Sequence, residues 1–81
     1  MAPQISRART LRQVRAARML TVRALAQAAG CSPYTVHQVE MGRRVPQFDT
    51  IRRLAAALEV EPAEIVEFRR ALLLEEEDAN A

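Results

Sequence analysis

Val22-Arg23-Ala24-Leu25-Ala26-Gln27-Ala28-Ala29-Gly30-Cys31-Ser32-Pro33-Tyr34-Thr35-Val36-His37-Gln38-Val39-Glu40-Met41-Gly42-Arg43 decides the fold. Split at Gly30, it reads as two short helices, one with Leu25, Ala26 and Ala29 on its inward face, the other with Val36 and Val39. Two helices that cross steeply over a turn of about three or four residues need a small residue where their backbones meet and a corner residue that tolerates positive φ. Ala26 and Gly30 meet those needs, and Val36 fills the angle between the helices.

That wiring is a helix-turn-helix, and its punctuation agrees. Thr21 is placed to cap the helix Val22–Ala29, and Ser32 to cap the next, with Pro33 at the first position, where a missing N–H costs nothing. The second helix should run from Pro33 to about Met41, with Thr35 at the junction and Pro33, Tyr34, His37, Gln38 and Met41 facing out. Gly42 is placed to end it in a left-handed conformation. Cys31 fills an apolar slot beside the corner.

Upstream, Thr10-Leu11-Arg12-Gln13 fits a capping box for a first helix reaching about Arg18, with Leu11, Val14 and Ala17 inward. Leu20 should tuck into the core. Downstream, a fourth helix begins near Phe48 or Asp49, with Phe48, Ile51, Leu54, Ala55 and Leu58 at core-face spacing and Asp49 either capping it or opposing its positive end. Arg52 and Arg53 read as surface. Val60 fills a short connection and Glu61-Pro62 opens a fifth helix carrying Ile65, Val66, Phe68 and Ala71-Leu72-Leu73-Leu74, before Glu75-Glu76-Glu77-Asp78.

Net charge is only +2 over 81 residues, but its distribution is uneven. Residues 1–44 hold eight Arg against the single acid Glu40, a balance of +7, whereas residues 45–81 hold four Arg against nine acids, a balance of −5. A basic half that carries the helix-turn-helix is the electrostatic footprint of a nucleic-acid binder. One Cys, one His and two Gly argue against a disulfide, a metal site, a catalytic set or a phosphate loop. The expectation is therefore a non-enzyme with no cofactor and no evident small-molecule ligand. No apolar run reaches the roughly 20 residues of a spanning helix, so the chain should be soluble, cytoplasmic and without membrane contact.

Leu25-Ala26-Gln27-Ala28-Ala29-Gly30-Cys31-Ser32, then Val36, Val39-Glu40-Met41-Gly42-Arg43-Arg44 and Pro46, resemble the Cro/cI-type (XRE, lambda-repressor-like) helix-turn-helix family, and the likeness runs from about Leu11 to Ile65. It implies an all-α, five-helix lambda-repressor-like domain, here with an extended C-terminal helix. It implies a transcriptional regulator, a repressor, that binds double-stranded DNA sequence-specifically as a homodimer with helix Pro33–Met41 in the major groove. On this resemblance Pro33, Tyr34, His37 and Gln38 face the bases, while Thr21, Arg23, Arg43, Arg44 and Arg12 hold the DNA backbone. Ala26, Gly30 and Val36 are the structural motif, joined by an Arg15–Glu40 pair that leaves one guanidinium edge for phosphate. Three positions depart from the family: Met19 stands where glycine usually ends the first helix, Val22 where a phosphate-contacting Gln usually follows the cap, and Gln47 where a hydroxyl residue usually caps the fourth helix.

The resulting organisation is a flexible basic arm over residues 1–9, a DNA-binding domain over 10–66, and a helical extension with an acidic tail over 67–81. Because the family's core is largely complete by Ile65, the later apolar residues should have little core left to cover, and such a stripe implies a partner. A second copy is the favoured partner. Two other readings stay open: the antitoxin of a toxin–antitoxin pair, which gives the stripe to a toxin, and a protein-interaction adaptor that uses the fold without DNA.

Overall fold

The computed structural model describes residues 8–80, with side chains through Leu73. Among these residues the elements are α1 (Leu11–Ala17), α2 (Val22–Ala29), α3 (Pro33–Glu40), α4 (Phe48–Leu58), a 3-10 turn (Pro62–Glu64) and α5 (Val66–Asn80). The architecture is the expected all-α one of five helices.

Four of the five helices are shorter than the ~12–15 residues at which an isolated helix becomes even marginal in water, so caps and packing must hold them. The capping box of α1 forms: Thr10 Oγ1 accepts from the Gln13 amide at 3.1 Å and Gln13 Oε1 accepts from the Thr10 amide at 2.9 Å. A third start-of-helix amide, that of Leu11, donates to Glu67 Oε1 at 2.8 Å from 56 residues away. Thr21 and Ser32 cap α2 and α3 by accepting from the amides of Ala24 and Thr35. Gln47 makes no side-chain cap bond to α4, and Asp49 instead opposes the positive end of that helix while pairing with Arg52 and Arg53 at 3.2 and 3.5 Å.

Each of α1 to α4 ends through a left-handed residue: Met19 (φ 58°), Gly30 (72°), Gly42 (73°) and Glu59 (59°). The reversal turns the next amide back onto the helix, as when Cys31 donates to the Ala26 carbonyl at 3.0 Å and Arg43 to that of Gln38 at 2.9 Å. Glycine makes the conformation free of strain; Met19 and Glu59 adopt it against a Cβ clash. Arg18, beside Met19, and Glu59 itself form an exposed ion pair at 3.3 Å.

The core is aliphatic around one ring: Leu11 and Val14 from α1, Leu25, Ala26 and Ala29 from α2, Val36 and Val39 from α3, Ile51, Leu54, Ala55 and Leu58 from α4, then Ile65, Phe68 and Ala71. Leu20, Cys31 and Val60 pack against its edge.

Four expectations need correction. Ala17 is exposed, because α1 ends there and the chain reverses through Met19, so Leu20 takes the next inward slot. Phe48 is 47% exposed: side chains tilt toward the helix N-terminus, so a residue in the first turn of α4 points off its end, and Pro46 is buried there instead. The fifth helix does not run on from Pro62; Ile65 is extended (φ −108°, ψ 123°) between the 3-10 turn and α5, and Val66 is turned outward. Nor is the core closed at Ile65, since Phe68 is fully buried and Ala71 nearly so.

The break at Ile65 has a partner. The Arg9 amide donates to the Glu64 carbonyl at 2.9 Å and the Val66 amide to that of Arg9 at 2.8 Å, a one-residue parallel bridge. Arg9 was expected in the free arm; it is fastened to the start of α5. Residues 1–7 of that arm lie outside the described residues.

Candidate nucleic-acid interface

With Val36 fully buried and Ala26 almost so, α2 and α3 pack closely enough to fix which face of α3 looks outward. That face carries Pro33, Tyr34 and His37, all exposed, with Gln38 half-buried at its edge and Met41 51% exposed at its end. Among the described residues no hydrogen bond ties the side chain of Tyr34, His37 or Gln38, so their donors and acceptors point at solvent. An amide and an imidazole held this way offer the hydrogen bonds that base edges in a major groove read, and the Pro33 ring offers apolar contact.

Arginines surround this face. Arg43 and Arg44 are exposed in the loop just past Gly42, whose left-handed φ turns the chain off the end of α3. No Cβ clash would arise at Gly42, where nothing lies within 4 Å, so the requirement for glycine there is conformational alone. Arg23 is exposed in the first turn of α2 and Arg12 in that of α1. Thr21, exposed, spends one acceptor on its cap, while Val22 is half-buried against the core and adds apolar packing where the family places a phosphate-binding amide. The Val22 and Arg23 amides at the start of α2 remain available to an anion, that of Ala24 being taken by the cap.

Glu40 would place a negative charge at the end of the α3 face were it not neutralised. Arg15 Nε donates to Glu40 Oε2 at 2.6 Å and Nη2 to Oε1 at 3.1 Å, a bidentate pair with side chains 15% and 7% exposed. Arg15 Nη1 donates to the Leu20 carbonyl at 2.9 Å. The bond to Glu40 raises the guanidinium pKa still further, against the opposing cost of burial, so the group is charged at all working pH. Each guanidinium nitrogen therefore has an internal acceptor, which uses three of the five N–H groups. The pair clamps α1 to the end of α3 and removes the sole acid of residues 1–44 from the field.

Arg53 lies on the surface, as expected, and also meets the corner. Its Nη1 reaches toward the Gly30 carbonyl at 3.4 Å, and it lines a cleft of about 350 Å³ with Ser32, Thr35, Arg44, Gln47 and Thr50. No sequence signal could have joined Arg53 to Gly30, because the contact depends on how α4 lies across the corner. Cys31 borders the same cleft; its packing raises the thiol pKa by desolvation, which Arg53 partly offsets. Among the described residues no group of His, Cys, Asp and Glu is disposed to hold a metal ion, and no helix is long and apolar enough to cross a membrane.

The model of a helix-turn-helix domain matches residues 8–68. Over 51 residues, 62% of its length, the chain is 47% identical to an uncharacterized HTH-type transcriptional regulator, RghRB, of Bacillus subtilis strain 168; the match spans 37% of that relative. Two solved structures are similar at a TM-score of 0.65. One is the restriction-modification controller protein C.AhdI from Aeromonas hydrophila, 39% identical, with 67% of this chain and 82% of that one covered. The other is the clp gene regulator ClgR from Corynebacterium glutamicum, 27% identical, with 86% and 76% covered.

Proposed function

The chain belongs to the helix-turn-helix domain family, and from that premise we propose a cytoplasmic transcriptional regulator that binds double-stranded DNA sequence-specifically as a homodimer and acts as a repressor. The observation that carries this reading is the contrast between the two sides of α3. Its inner side is fixed by Val36, Val39 and the part-buried Arg15–Glu40 pair, while its outer side offers Tyr34, His37 and Gln38 unbonded and flanked by exposed arginines.

In this reading α3 enters the major groove. Gln38, Tyr34 and His37 read base edges and Pro33 packs on a base. Arg43, Arg44, Arg23, Thr21 and Arg12 contact phosphates, which set position and supply most of the salt-dependent affinity. Arg15 is reserved for holding α3 in register. A two-fold dimer reads a near-palindrome with half-sites about one turn, ~34 Å, apart. Occupying a promoter represses by exclusion, and the described residues offer no enclosed sensor cavity, so control passes through protein level or a partner.

The test is selection from a random duplex pool, followed by fluorescence anisotropy of the selected and a scrambled duplex near physiological salt. Specific binding should be at least ~10³-fold tighter than the non-specific ~10⁻⁴–10⁻⁶ M. Failure to enrich any sequence, with equal weak binding to both duplexes, sinks the reading and leaves the protein-interaction adaptor.

A further inference from the structure

Val45 and Val66 are 50% and 45% exposed, and both line one hollow of about 390 Å³ between α5 and the loop after α3. Arg43, Arg44, Arg70 and Glu67 stand around them. Backbone, not helical pattern, puts the valines there. The extended residue Ile65 turns Val66 outward, and Val45 stands in the loop between exposed Arg44 and buried Pro46.

Charge at this hollow is mostly positive. Among the described residues no acid pairs with Arg43, Arg44 or Arg70, whereas half-buried Glu67 gives its Oε1 to the Leu11 amide at 2.8 Å. Three guanidinium groups around two exposed valines suit an occupant that is both anionic and aliphatic. A phosphate backbone meets only the first demand, because an aliphatic floor returns no hydrogen bond to a phosphate that has left water. A protein segment meets both: an aliphatic side chain covers the valines while flanking carboxylates accept from the arginine forks.

We propose that the hollow docks an acidic segment of another protein, an aliphatic side chain seated on Val45 and Val66 and the carboxylates on either side held by Arg44 and Arg70. Arg43 and Arg44 also belong to the proposed DNA-contacting loop, so the segment and a duplex exclude each other; this part rests on the DNA-binding reading. Each ligand then weakens the other by the same factor, and a partner that carries such a segment lifts the chain from its operator.

In the experiment a random peptide library displayed on phage is selected against the full chain, and an enriched peptide is synthesised with a fluorescent label. It should carry Leu, Ile or Met between acids, and replacing that residue by Ser, or the acids by their amides, should abolish binding. Arg70→Glu and Val66→Asn should each weaken the peptide about 10- to 100-fold, while discrimination between selected and scrambled duplexes and the circular dichroism spectrum stay as in the native chain. Saturating peptide should raise the apparent Kd for the selected duplex about 10-fold or more. An empty selection, or enriched peptides that bind both variants as tightly as the native chain, overturns the docking while the DNA reading stands. Peptide and duplex held together on one chain overturns their exclusion. If Val66→Asn instead loosens self-association in sedimentation equilibrium, the hollow belongs to a second copy and the proposal falls. Equal weak binding of both duplexes by the native chain sinks the DNA reading, and the peptide measurements still decide the docking.

Discussion

Glu40→Ala tests the reasoning most directly, because the structure allows its cost to be worked out. The Arg15 and Glu40 side chains are 15% and 7% exposed and joined by two hydrogen bonds, so truncation leaves a part-buried cation with one remaining acceptor, the Leu20 carbonyl. Breaking a buried pair from one side costs about 3–5 kcal/mol, and the retained acceptor and partial exposure of Arg15 place this site near 3. A chain of this length is stable by only about 4–12 kcal/mol. With a urea m-value near ~1–1.5 kcal/mol/M, the midpoint followed by circular dichroism should fall by about 2–3 M. The double variant Arg15→Met/Glu40→Leu removes both charges at similar volume and should recover most of that loss. A Glu40→Ala midpoint within about 0.5 M of the original, or a double variant as unstable as the single, refutes the clamp.

Gln38→Ala should relax preference at one base position by about 1–3 kcal/mol in competition anisotropy, leaving random-duplex affinity unchanged. Arg43→Ala should weaken all duplexes alike and reduce the slope of log K against log salt by about 1. Met19→Gly should raise thermal stability by about 0.5–1 kcal/mol: it relieves a left-handed Cβ clash of roughly 1–2, against the entropy glycine adds to the unfolded chain, and Met19 is 90% exposed, so little packing is lost. Because the folded chain raises the Cys31 pKa, it holds that proton more tightly than the unfolded chain. The associated stability is complete below the ordinary thiol pKa and is lost as pH rises through the folded one; thiol-reagent rates in native and urea-unfolded protein should show a later onset in the native state.

The features legible along the chain are those that a few neighbouring residues enforce. The caps at Thr10, Thr21 and Ser32, the glycine exits at Gly30 and Gly42, and the periodicity that sorts α2, α3 and most of α4 into two faces all act within one or two helical turns. So the helix-turn-helix corner and the outward set of α3 were legible, and the Arg15–Glu40 pair was legible through the family resemblance. The rest depends on elements far apart in the chain. Phe48 has core-face spacing but sits where the helix end overhangs its neighbours. Arg9 and Ile65 meet across 56 residues, and that bridge, with Glu67 capping Leu11, breaks the fifth helix and draws Phe68 and Ala71 into the core. Arg15 gains a further bond to the Leu20 carbonyl, and Arg53 gains its place beside the corner from the way α4 lies across Gly30. Helical periodicity reports which side of a helix is apolar; where that side ends, and which distant backbone closes it, follows from packing the helices together.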